Sequence, residues 1–146
     1  MQVERIAPIL TVRDVAAAVA EHASVLGMRV VMDMGWIAFL ADDAGRQIGL
    51  MTSDATAPLN PDVSVFVDDV EAAYAAANAA GVEIVHPLSY EDWGVRRFFY
   101  RDSSGRVINV GTNLFQNPVV PYHDYTAAKA ALLSLTRTLA GDLGAD

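Results

Sequence analysis

Gly105-Arg106-Val107-Ile108-Asn109-Val110-Gly111-Thr112-Asn113 decides the fold, because it completes the pattern upstream of it and opens a different one downstream. The run Val107-Ile108-Asn109-Val110 follows an Asp102-Ser103-Ser104-Gly105 turn, which predicts a strand. At a displacement of 60 residues, Phe39 to Leu50 reappears as Phe99 to Val110, with Asp42, Gly45, Arg46 and Ile48 recurring as Asp102, Gly105, Arg106 and Ile108. At a displacement of 55, Val12-Arg13-Asp14-Val15 reappears as Val67-Asp68-Asp69-Val70. A repeat of roughly 50–60 residues predicts two copies of one unit that bury faces against each other. The growth in displacement places the second copy's extra residues in the loop from Leu88 to Gly94.

The unit reads β-α-β-β-β. Ile6 to Val12 is an apolar, β-branched strand with Pro8 near its start or on an edge. Asp14 stands where a helix N-cap belongs, and the alanine-rich helix Val15 to Leu26 stops at Gly27. Strands over Met28 to Met32, Trp36 to Leu40 and Arg46 to Thr52 follow, parted by turns at Gly35 and at Asp42-Asp43-Ala44-Gly45. The second copy begins with strand Val63 to Val67, the cap Asp68-Asp69, a helix from Glu71 to Ala80 stopped by Gly81, and strand Val82 to Val85. The expected division is 1–52 and 63–113 for the modules, 53–62 for the linker, and 114–146 for a separate loop and helix.

Composition narrows the classes of function. With 146 residues and 53% hydrophobic content the chain suits one domain, which at this size buries roughly two-thirds of its unfolded surface. A net charge of -8 argues against nucleic acid, whose binding rests on Lys and Arg neutralising phosphates. Arg96-Arg97 could still hold one anionic group. The absence of cysteine removes disulfides, zinc thiolates and thiol nucleophiles. No apolar run spans a membrane and no signal peptide is read, so the expectation is a cytoplasmic protein without membrane partners.

The repeated unit, with Val67-Asp68-Asp69-Val70 opening one helix and Trp93-Gly94-Val95-Arg96-Arg97-Phe98-Phe99 leading into Asp102 to Asn109, resembles the glyoxalase/bleomycin-resistance/extradiol-dioxygenase superfamily, the vicinal oxygen chelate fold. That resemblance implies an α+β fold in which two βαβββ modules form a curved sheet, a cup for a small ligand, and often a homodimer. It also implies that the family's metal positions fall at Ala7, Gly49, Asp62 and Asn109. Ala and Gly have no donor and Asn is a weak one, so neither a metal nor any other cofactor is expected. His22, His86 and His123 are read as solvated or locally hydrogen-bonded. A small hydrophobic or aromatic ligand would be met by Trp36, Phe39, Phe66, Trp93, Phe98 and Tyr100, with Arg97 toward an anionic group. Strand alternation lets only about half of these face the cup, so the others would be core.

Downstream, Asp124 caps a helix from Tyr125 to Leu143 with leucines at 132, 135, 139 and 143, ending at Gly144. Tyr125-Thr126-Ala127-Ala128-Lys129 and the residues after it resemble the catalytic helix of short-chain dehydrogenases/reductases. Thr112, 13 residues before Tyr125, completes the set that the resemblance implies. A reductase also needs a glycine-rich turn after its first strand to seat a dinucleotide, and residues 1–113 contain none. Thr112, Tyr125 and Lys129 are therefore expected to be catalytically idle. A junction at a strand shared by both patterns fits recombination, natural or deliberate, while a natural C-terminal extension is the plainer alternative. The leading expectation is a metal-free small-molecule binding protein rather than an enzyme. Behind it stand a chimera with no selected activity, then residual reductase, metal lyase or dioxygenase activity.

Overall fold

A computed structural model describes residues 1–112, and these form one eight-stranded mixed sheet with two helices. The first module contains β1 (Val3–Thr11), α1 (Val15–Leu26), β2 (Arg29–Asp33), β3 (Ile37–Ala41) and β4 (Gln47–Met51). The second contains β5 (Val63–Val67), α2 (Val70–Ala79), β6 (Glu83–Tyr90), β7 (Arg96–Arg101) and β8 (Val107–Gly111). Spatial order is β2-β3-β4-β1-β5-β8-β7-β6, so each module contributes four adjacent strands and the modules meet at the antiparallel β1/β5 seam. The duplicated α+β architecture and its curved sheet follow the expectation from the repeat. Val107 to Gly111 pairs with β5 and β7 as the closing strand of the second module, so the stretch shared by two patterns is claimed here by the upstream one. The expected helix from Tyr125 to Leu143 lies outside the described residues.

Both helices begin at the predicted caps. The carboxylates of Asp14 and Asp69 accept hydrogen bonds from the amides of Ala17 and Ala72, each 2.9 Å away, satisfying N–H groups that have no partner within the helix. Gly27 closes α1 at φ 64°, a left-handed conformation that glycine adopts without steric penalty. The helices cover the same side of the sheet: α1 buries Ala18 against Leu40 and Leu50, and α2 seats Val70 and Tyr74 against Phe98 and Val110. Among the described residues no helix is long and apolar enough to cross a membrane.

Two expectations need correction. Pro8 is neither at the start of β1 nor on an edge. It sits in a central strand where the pairing partner changes, because β1 pairs with β5 from Val3 to Pro8 and with β4 from Ile9 to Thr11. A residue without an N–H is tolerated at that changeover. The strand expected to end at Val85 continues through Pro87 to Tyr90. β6 is the outer edge of the sheet, and its register shifts twice between Ile84 and Ser89, where a proline costs no ladder bond. The extra residues of the second copy thus lengthen a strand, leaving only the turn at Glu91 to Val95 as a loop.

Candidate functional site

Strand alternation sends one set of side chains under the helices and the other into the concave face. Reading across the sheet through its pairings, the concave set includes Arg5, Ala7 and Ile9 on β1, Phe39 on β3, Gln47 and Gly49 on β4, Ser64 and Phe66 on β5, Arg97 and Phe99 on β7, and Asn109 on β8. The floor of this cup is well covered: Ala7 and Phe99 are inaccessible, and Ile9, Phe39, Ser64 and Asn109 are buried.

The four positions implied to carry a metal do not make a donor set. Ala7 supplies no donor atom. Gly49 has no side chain, and the space a Cβ would need there is filled, with Ile9 Cδ1 at 2.5 Å and Phe39 Cε1 at 3.0 Å from that point. The Asp62 carboxylate accepts a hydrogen bond from the Val107 amide at 2.7 Å, tying β8 to the start of β5. Asn109 donates from Nδ2 to Ser64 Oγ at 3.0 Å, and its buried Oδ1 has no hydrogen-bond partner among the described residues. One carboxylate, itself engaged, and one neutral amide fall short of the three or four ligands a bound divalent ion takes.

The wall of the cup is closed by an ion cluster around Arg97, which is 6% exposed. Its Nη1 donates to Asp54 Oδ2 and its Nε to Glu91 Oε1, both at 2.7 Å, while Nη2 donates to Thr56 Oγ1 at 2.8 Å. Its guanidinium also lies 5.1 Å from the Trp93 ring centre and 4.9 Å from that of Phe99. Glu91 Oε1 further contacts His86 Nε2 at 3.0 Å. Asp54 and Thr56 belong to the linker, and Arg97 and Glu91 to the second module, so the cluster fastens the linker across the cup. Trp36 and Trp93 bridge the modules similarly, edge to face with ring centres 6.4 Å apart.

Burial alone pushes the Asp54 carboxyl pKa up. The Arg97 hydrogen bond, the Thr56 amide, the Arg97 charge and the Thr56 hydroxyl together outweigh it and hold the group below the usual carboxylate range. A depressed folded-state pKa contributes stability that is complete above the unfolded value of about 4 and disappears as pH falls through the lower folded value. Urea unfolding followed from pH 7 to pH 2 is therefore expected to show a steep loss of stability below about pH 4. In Asp54→Asn that acid limb should be shallower, and an identical slope in both proteins would contradict this origin.

Of the residues expected to meet a ligand, Trp36, Phe39, Phe66 and Trp93 are on the cup side, and Arg97 is there with each of its three nitrogens donating to Asp54, Glu91 or Thr56. Phe98 and Tyr100 are corrected to the opposite face. Phe98 packs edge to face on Tyr74 of α2 at 5.0 Å, and both belong to the core beneath that helix, as alternation from Arg97 and Phe99 requires. Thr112 is buried, its amide donating to the Arg96 carbonyl at 3.0 Å and its Oγ1 accepting from the Arg96 amide at 3.2 Å. Tyr125 and Lys129 lie outside the described residues. Reading the sequence alone missed Arg5, which lies 3.8 Å from the Phe66 ring centre and 5.6 Å from that of Phe39. It also missed Asp54 and Glu91 as the partners of Arg97. Arg5 follows Glu4 and stands just before the apolar run from Ile6, so the sequence carried no signal that set it apart from a solvated charge.

No curated protein matches this sequence. Among solved structures, the chain is similar to one described as an NAD-dependent benzaldehyde dehydrogenase from Legionella pneumophila, at 14% identity and a TM-score of 0.64 over 73% of this chain and 97% of that one. A glyoxalase/bleomycin resistance protein/dioxygenase superfamily member from Vibrio splendidus 12B01 matches at 22% identity and a TM-score of 0.59 over 77% and 100%. A protein from Staphylococcus aureus matches at 14% identity and 0.56 over 77% and 98%. At these identities the likeness is one of fold. Residues 92–146 are similar to the short chain dehydrogenase family, a match confined to the C-terminal part of the chain. Residues 2–110 match the family described as the Glyoxalase/Bleomycin resistance protein/Dioxygenase superfamily, and with both βαβββ modules inside that span the chain belongs to this superfamily.

Proposed function

We propose that this chain is a metal-free binding protein for small molecules with an apolar or aromatic body, taken into the cup between its modules. The observation that carries this reading is the centre of the cup, where Ala7 and Gly49 offer no donor and Ile9 and Phe39 fill the room that a side chain at position 49 would need. What surrounds that centre is aromatic, with Trp36, Trp93 and Phe66 only partly covered. Small-molecule sites are mostly apolar with a few placed polar groups. Acid–base catalysis has little support, since the His86–Glu91 pair is bound into the Arg97 cluster rather than held toward open space.

Residues 114–146 fit this reading as a reductase-like segment without nicotinamide chemistry. In the described sheet the first strand passes to its helix through Val12-Arg13-Asp14, with no glycine. The α1 N-terminus is capped by the Asp14 carboxylate, a negative charge where a pyrophosphate would have to sit. A thermal-shift screen of hydrophobic and aromatic compounds, antibiotics included, is expected to find ligands that raise the melting temperature, as binding to the folded state alone adds about 2.7 kcal/mol at a hundredfold excess over Kd. NADPH in the same screen should produce no shift. A screen in which NADPH alone stabilises the protein, or nothing does, would overturn the proposal.

A further inference from the structure

Arg5 is a cation on the cup face with no carboxylate partner among the described residues. Arg29, Arg46, Arg96, Arg97, Arg101 and Arg106 each hold an aspartate or glutamate, and Arg13 stands exposed to water. Arg5 has neither kind of compensation in full. Its Nη1 donates to Gln47 Oε1 at 2.6 Å, its Nε is buried with no hydrogen-bond partner among the described residues, and burial holds its pKa below the ordinary arginine value. The remaining neighbours are the ring faces of Phe66 and Phe39. Aromatic faces offset part of the desolvation of a guanidinium, but an unneutralised charge taken out of water remains costly. In a chain with 18 acidic residues, leaving this position without one is informative. Arg5 and Phe66 are also only partly covered, whereas Ala7, Ile9 and Phe39 beside them are buried, so Arg5 keeps some accessible surface although its Nε is buried.

We propose that Arg5, Gln47 and the Phe66 and Phe39 rings form an anion subsite in the cup, which takes a carboxylate joined to a flat apolar body. A planar guanidinium pairs with a carboxylate through two parallel hydrogen bonds, and with Nε buried the edge that an incoming carboxylate meets is the one formed by Nη1 and Nη2. Phe66, which is only partly covered, offers the surface on which the apolar body lies, while the buried Phe39 backs the guanidinium. This names the ligand class of the cup and so rests on the binding role proposed above.

Isothermal titration of the full chain with phenylacetate and with its neutral analogue phenylacetamide tests the subsite, using Arg5→Met, which keeps an apolar stem, and Arg5→Lys, which keeps the charge without the fork. The expected result is phenylacetate binding at least tenfold tighter than phenylacetamide, a preference abolished in Arg5→Met and reduced in Arg5→Lys, with both variants showing the wild-type far-ultraviolet circular dichroism. Phenylacetamide binding as tightly as phenylacetate, or phenylacetate binding undiminished in Arg5→Met, overturns the anion subsite and leaves the cup as a site for neutral ligands. If neither compound binds and no hydrophobic compound shifts the melting temperature, the binding role of the cup falls together with the subsite.

Discussion

Arg97→Met is expected to lower the unfolding free energy by about 3–5 kcal/mol, read from urea denaturation at pH 7. The loss does not measure the strength of the ion pairs, because desolvating three charged groups consumes most of what their attraction returns. It comes from what the variant leaves behind. Asp54 and Glu91 are 7% and 6% exposed, and without the guanidinium two buried carboxylates would be left with the Thr56 donors and His86 but no arginine to neutralise them. A triple variant carrying Arg97→Met, Asp54→Asn and Glu91→Gln removes those stranded charges and should recover part of the stability. If Arg97→Met alone cost less than about 1 kcal/mol, the magnitude typical of an exposed pair, the cluster would not be what fastens the linker across the cup.

Gly49→Ala is expected to destabilise the protein although it adds a single methyl group. Ile9 Cδ1 and Phe39 Cε1 occupy the space at 2.5 and 3.0 Å from the new carbon, and both residues are packed with Ala7 and Met51, so Ile9 must change rotamer or the strands must part. Overpacking of this kind costs about 1–3 kcal/mol. Stiffening the unfolded chain by replacing glycine offsets about 0.4–1 kcal/mol of that, leaving a net loss of about 1–2 kcal/mol. Ile9→Val removes the offending methyl, so in the double variant most of the Gly49→Ala penalty should vanish. A double-mutant cycle with no coupling between the two positions would show that Gly49 and Ile9 do not share the centre of the cup.

What could be read in advance follows from which interactions are local. The caps at Asp14 and Asp69, the stop at Gly27 and the paired Asp-x-x-Gly turns at 42–45 and 102–105 depend on residues a few positions apart, and each is found where the repeat placed it. The two-module architecture followed from the duplication, since two like modules bury like faces, whereas the order of strands across the sheet came only with the structure. The composition of the cup was less legible. Whether Phe98 or Phe99 faces the ligand side depends on a one-residue register that an aromatic run does not reveal. The Arg97 cluster joins Asp54 to a residue 43 positions away, and Arg5 meets Phe66 only because β1 and β5 form the module seam. The continuation of β6 past Val85 through Pro87 was missed because edge position, which lets a strand hold a proline, is a property of the assembled sheet.

At the centre of the cup, where a metal would need donors, Ala7 and Gly49 offer none and Ile9 and Phe39 fill the space beside Gly49. Elemental analysis of the folded protein, after equilibration with Zn²⁺, Ni²⁺ and Mn²⁺ in turn and removal of free ion, shows whether the cup nonetheless holds a metal. Retained metal is expected to fall far below one ion per chain, with no rise in melting temperature for any of the three. One tightly held ion per chain that raises the melting temperature, and is lost in Asn109→Ala and Asp62→Ala, would contradict it.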